Sequence, residues 1–141
     1  MKDNIYASEY EDFYFIDAIN NVRYFNLKYS ELEKRKFKEV GNAFKRKEDA
    51  ERQARAEKLM RELTMFSNCF QDKDSEKKYI INYIKDKGIL KILPKDVNHI
   101  PFGAVIFSSW EAAYSAIVQF TAELIWYFEE YLGLGGEFSH E

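Results

Sequence analysis

One cysteine, two prolines and two histidines are all that 141 residues contain of these types. A lone thiol, Cys69, cannot close an intramolecular disulfide, so the sequence points to a reducing compartment. His99 and His140 fall in a loop and at the extreme tail, which leaves neither a thiol–imidazole dyad nor a zinc cluster with the parts it needs. Long apolar runs are also missing, because the longest candidate is interrupted by Gln119 and Glu123. The N-terminal MKDNIYASEYEDF is acidic and has neither the basic start nor the apolar stretch of a secretory leader. These absences predict a protein that neither spans a membrane nor is secreted, expected in the cytoplasm.

Catalytic patterns are missing too. Glu11, Asp12 and Asp17, like Glu129 and Glu130, are carboxylate groupings with no reason to converge beside a pocket, and they read as solvated acidic runs. The glycines of GLGG at 133–136 follow a helix rather than a strand, so they read as a helix stop and a flexible tail, not a phosphate loop. The expectation is a protein with no catalytic, cofactor-binding or metal-ligating residues, and not an enzyme.

What the chain does have is aromatic mass. Hydrophobic residues are 46% and charged residues 32%, a globular balance, while Phe, Tyr and Trp make up 17%. A chain of this length buries roughly two-thirds of its unfolded surface as one domain. Aromatic residues in this number imply a large core, an adhesive surface, or both.

Two strand-rich stretches, each followed by a helix, organise the sequence. YFIDAINNVRYFNL (14–27) carries two β-favouring runs about Asn20-Asn21, a dipeptide that tolerates the positive φ of a hairpin turn. A charged stretch to Glu39 and GNAF (41–44) precede a helix expected over about 47–66. YIINYIKDKGILKIL (79–93) then reads as a second hairpin about Lys-Asp-Lys-Gly, and FGAVIF (102–107) as a third strand. Ser108 or Ser109 is the expected cap of a second helix, with Ser108 and Glu111 at capping-box spacing and Gly133 as the stop. Tyr14, Ile16, Phe25 and Leu27 match Tyr79, Ile81, Leu90 and Ile92 at an offset of 65, and Phe44, Glu48 and Ala50 match Phe107, Glu111 and Ala113 at 63. This predicts an internal duplication.

The expected fold is α+β: two tandem units of β-hairpin, strand and helix, with antiparallel sheet and two helices packed on one side. The expected organisation is one domain over 1–141, with an acidic N-terminal segment (1–13), a first unit (14–70), a second unit (71–133) and a flexible tail (134–141). The second helix is apolar round most of its circumference, so it needs two covers: its own sheet, and either the first helix or a second copy of the chain.

GNAFKRKEDAE (41–51), FGAVIFSSWEAAYSAI (102–117) and YFEEYLG (127–133) together carry a family resemblance. The chain resembles small uncharacterised proteins of bacteriophages and prophages of Gram-positive bacteria, which have a Gly-Asn-x-Phe segment before a Glu-x-Ala-Glu helix start. Gly41, Asn42, Phe44, Glu48, Ala50 and Glu51 match, and Arg46 stands where the family usually has a capping Thr. The resemblance implies origin in a phage or mobile element and a role in handling the bacterial host, of the anti-defence or anti-CRISPR type, and it transfers no catalytic residues.

Charge is segregated along the chain. Residues 34–61 hold eleven basic and five acidic side chains, net +6, while 108–141 hold six acidic side chains and no Lys or Arg. Two partner readings follow. In the first, a host or phage protein is bound through Trp110, Trp126 and Tyr127, with a homodimer through the C-terminal helix as a further use of that surface. In the second, nucleic acid lies on the basic segment 34–61, with Lys45, Arg46, Arg52 and Arg55 on phosphates and Tyr24, Tyr29 and Phe37 as stacking groups. The interleaved Glu39, Glu48, Asp49, Glu51 and Glu57 dilute the field that a phosphate backbone would meet, which favours the first reading.

Overall fold

In the computed structural model the described residues are 4–7, 12–25, 31–70, 77–101 and 103–135. The expectations placed on Leu27, Tyr29 and most of the tail lie outside them. The fold is α+β, with two two-stranded antiparallel sheets. The chain divides into two compact units, residues 1–58 and 59–141.

The first unit begins with the hairpin of β1 (Phe13–Ile16) and β2 (Val22–Phe25). Its turn closes on Asp17, whose carboxylate accepts from the N–H groups of Ile19 (3.0 Å) and Asn21 (2.9 Å), while Asn20 takes φ +68°. The Arg23 guanidinium donates to the same carboxylate at 2.6 Å, and this bond above all holds Asp17 below the usual carboxylate range.

Alternation along β1 sends side chains to two faces. Phe13 and Phe15 pack with Phe25 and with Phe37 of α1 (Glu31–Glu39), the Phe13 and Phe25 rings stacking at 4.8 Å. Tyr14 and Ile16 pack with Phe44 and with Ala50 and Ala54 of α2 (Lys47–Cys69). The two helices therefore cover opposite faces of the hairpin, and α1 is an element beyond the two helices expected. α1 was expected only as a charged stretch, because Leu32 and Phe37 are its only large apolar residues.

GNAF has a structural role residue by residue. Gly41, at φ +75°, ends α1, with its N–H donating to Lys38 O (3.1 Å) and the Asn42 N–H to Phe37 O (2.9 Å), the double closure of a left-handed helix stop. The Asn42 side chain accepts from the Ile16 N–H and donates to the Ile16 C=O, both at 2.8 Å, so it acts as a ladder residue. Phe44 then exchanges two backbone bonds with Tyr14, both 2.8 Å, and is 1% exposed.

The second unit repeats this frame. β3 (Lys78–Ile84) and β4 (Ile89–Lys95) form a hairpin closed by Gly88 at φ +64°, and Tyr79 exchanges two 2.8 Å backbone bonds with Phe107. Those bonds point Tyr79 away from β4, so its ladder partner Pro94 sits where a missing N–H removes no bond. Three residues after each bridge a helix starts, α2 at Lys47 and α3 (Trp110–Trp126) at Trp110, and Ala50 and Ala113 are both fully buried.

The duplication thus shows in bridge and helix, but the offset of 65 fails beyond the first strand. Ile16 faces Val22 and Ile81 faces Ile92, so Val22, not Leu27, is the counterpart of Ile92. The second hairpin is longer, and equal spacing in sequence hid the shift in register. Of the third strand expected over 102–107, residue 102 lies outside the described residues, and 103–107 pair only through the bridge at Phe107, with Gly103 in a turn at φ +80°.

α3 is capped by Ser109, whose Oγ accepts from the Ala112 N–H at 3.1 Å. Ser108 instead donates to Phe70 O at 2.7 Å, so the capping-box reading does not hold. The helix bends at Phe120 (φ −114°, ψ 22°), and after Trp126 a π-helical turn, Tyr127–Tyr131, carries the chain to Gly133 at φ +72°. Leu59 and Leu63 pack with Phe107, Ala112, Ala113, Ala116 and Leu124 as the core of this unit.

Candidate functional site

The basic residues singled out by charge lie in the first unit and point to solvent. Lys45, Arg46, Arg52 and Arg55 are all exposed, as is Tyr24. Carboxylates stand among them: Asp49 is 3.2 Å from Arg46, and Glu51 is 3.7 Å from Lys47. A shallow groove brings Asn20, Arg23, Lys47, Glu51, Arg55 and Lys58 together, with the Asn20 side-chain oxygen buried and without a hydrogen bond among the described residues. The field over this surface is therefore mixed, and the stacking partner Tyr29 is outside the described residues.

The aromatic residues singled out in the second unit part company. Trp110 is 47% exposed at the start of α3 and stacks on Tyr114, itself 51% exposed, with rings 5.1 Å apart and 8° from parallel. Val118, 63% exposed, continues the same ridge one turn on, and Ile125 extends it past the bend at Phe120. Spacing of i, i+4 and i+8 stacks side chains on one face of a helix, so the three form a continuous apolar surface.

Trp126 and Tyr127 are half-buried instead. Trp126 meets Tyr131 at 5.8 Å, and Tyr127 stacks on Tyr131 at 5.3 Å, with burial as the main cause that raises its hydroxyl pKa. Tyr114 and Val118 escaped sequence reasoning as surface residues because an apolar residue on a mainly apolar helix reads as core. The signal that could have found them is the long i, i+4, i+8 row on the face away from Ala112, Ala113 and Ala116.

Along the helix that carries the ridge the charge has one sign. Glu111, Glu123, Glu129 and Glu130 are the charged residues described from 108 to 135. Glu129 accepts a 2.5 Å hydrogen bond from the Tyr83 hydroxyl, which together with burial pushes the Tyr83 pKa up to about 12. Among the described residues no group of three or more His, Cys, Asp or Glu side chains could hold a metal ion, and no helix is long and apolar enough to cross a membrane. Comparison of the chain with protein-family models, with curated proteins and with solved structures gave no match.

Proposed function

We propose that this chain is a non-enzymatic binding protein, a phage or mobile-element modulator that occupies the surface of a host or phage protein in the bacterial cytoplasm, in the manner of anti-CRISPR proteins. The observation that carries the reading is the ridge of Trp110, Tyr114 and Val118, a stacked aromatic pair and an aliphatic neighbour left in water on an ordered helix. Aromatic anchors of this kind dominate interface energetics. The helix that carries the ridge has acidic residues and no Lys or Arg, which suits an apolar protein patch rimmed by Lys and Arg. A second copy of the chain would bring a second helix with acidic residues and no Lys or Arg to this face, so charge favours a different partner over a homodimer through this helix.

Affinity capture from host lysate tests the reading with two variants. One is Trp110→Ala with Tyr114→Ala. The other reverses Lys45, Arg46, Arg52 and Arg55 to Glu. The expected result is one host protein held by wild type and by the charge-reversed chain, resistant to nuclease, and lost with the aromatic variant while its circular dichroism is unchanged. Capture of nucleic acid, abolished by the charge reversal and indifferent to the aromatic change, would establish the nucleic-acid reading instead.

A further inference from the structure

β3 keeps an open edge beside its bridge. Because Tyr79 exchanges its backbone bonds with Phe107, antiparallel alternation turns the N–H and C=O of Ile81 toward the same side. The chain at 103–106 passes without pairing there, and Ile81 has no partner on that edge among the described residues. Between the strand and this segment lies a cavity of about 310 Å³. Its walls are apolar, with Leu63, Leu124 and Phe128 prominent, and among the described residues its polar lining is Asn82, Tyr127 and one charged residue, Lys95.

Lys95 is in an unusual position for a cation. It is half-buried and directly opposite Lys78, also half-buried, in the β3–β4 ladder, and neither has an ion-pair partner among the described residues. Like charges placed opposite one another on a sheet are destabilising, and an anion beside them relieves the repulsion. The Asn82 side-chain oxygen already accepts from the Tyr83 N–H at 2.8 Å, which leaves its amide NH₂ as a further donor.

We propose that this cavity binds a small amphipathic carboxylate, with its hydrocarbon body against Leu63, Leu124 and Phe128 and its carboxylate on Lys95. The volume is at the lower end of the range for small-molecule sites, about 300–1,000 Å³, which suits a medium-length chain or a single ring rather than a long-chain lipid. One ammonium and one amide match a monoanion better than a phosphate dianion.

The test is a titration of ¹⁵N-labelled protein with octanoate, with octan-1-ol as the neutral counterpart and acetate as the head group alone. Octanoate should shift the amides of Ile81, Asn82, Val105 and Tyr127 saturably below millimolar concentration. Octanol should bind at least tenfold more weakly, and acetate should leave these amides unmoved. Lys95→Met should weaken octanoate at least tenfold and leave octanol unchanged, and Ala104→Phe, which fills the cavity, should remove both. If Ala104→Phe does not fold, Lys95→Met decides alone. No saturable shift with octanoate in the folded wild type, or equal affinity of wild type and Lys95→Met for it, would overturn the proposal.

Discussion

At the residue scale, Asn42 and Tyr83 each make a contact with a measurable consequence. Asn42 satisfies both backbone groups of Ile16, a residue only 8% exposed. Asn42→Ala leaves that N–H and C=O without partners and should cost about 1–3 kcal/mol in chemical denaturation. A loss below ~0.5 kcal/mol would mean that water replaces the amide. Tyr83 titrates in the alkaline range: its folded pKa, about 12, lies above the ordinary value of 10.0, so the fold favours the protonated phenol. The stabilisation is complete below pH 10 and is lost as pH rises toward 12. Tyr83→Phe should therefore be less stable than wild type at neutral pH and approach it above pH 11, as measured by urea midpoints across that window. A constant difference between the two proteins would remove the linkage to Glu129.

At the scale of elements, α3 separates two explanations of a helix start. With Ser109 as the cap, Ser109→Ala should cost about 1 kcal/mol, whereas Glu111→Ala should change stability by no more than ~0.3 kcal/mol, because no capping box forms. Equal costs would restore the box. The same element shows how much of the fold the sequence carries. Both hairpins, both long helices and the stop at Gly133 follow from local chemistry: Asn20 and Gly88 at positive φ, runs of helix formers, and a glycine at the end. What the sequence hides depends on tertiary partners. α1 is stabilised by Phe37 against Phe13 and Phe25, a cluster that no local pattern announces. The segment 103–106 has strand composition, yet the turn at Gly103 denies it a ladder. Of the candidate surface, Trp110 was legible as an anchor from residue type alone, while Tyr114 and Val118 required knowledge of which face Ala112, Ala113 and Ala116 bury. The cavity beside β3 was not legible, because it exists only where an expected strand fails to pair.

For the molecule as a whole, surface and stability should separate under mutation. Val118→Glu, at a residue 63% exposed, should alter stability by no more than about 0.5 kcal/mol, and it should abolish partner capture while light scattering and thermal unfolding stay as in wild type. Loss of the fold in this variant would place Val118 in a packed role instead. The duplicated bridges bear on how the chain reaches its fold. Tyr14–Phe44 and Tyr79–Phe107 close loops of 30 and 28 residues. Closure entropy grows only with the logarithm of length, so the two differ by well under ~0.1 kcal/mol on this account. The order of events then rests on what each loop already contains when it shuts. β3 and β4 offer seven cross-strand pairs, against four for β1 and β2. In a refolding reaction sampled by pulsed hydrogen exchange, the Phe107 amide should become protected before the Phe44 amide, making the C-terminal copy of the repeat the first to set.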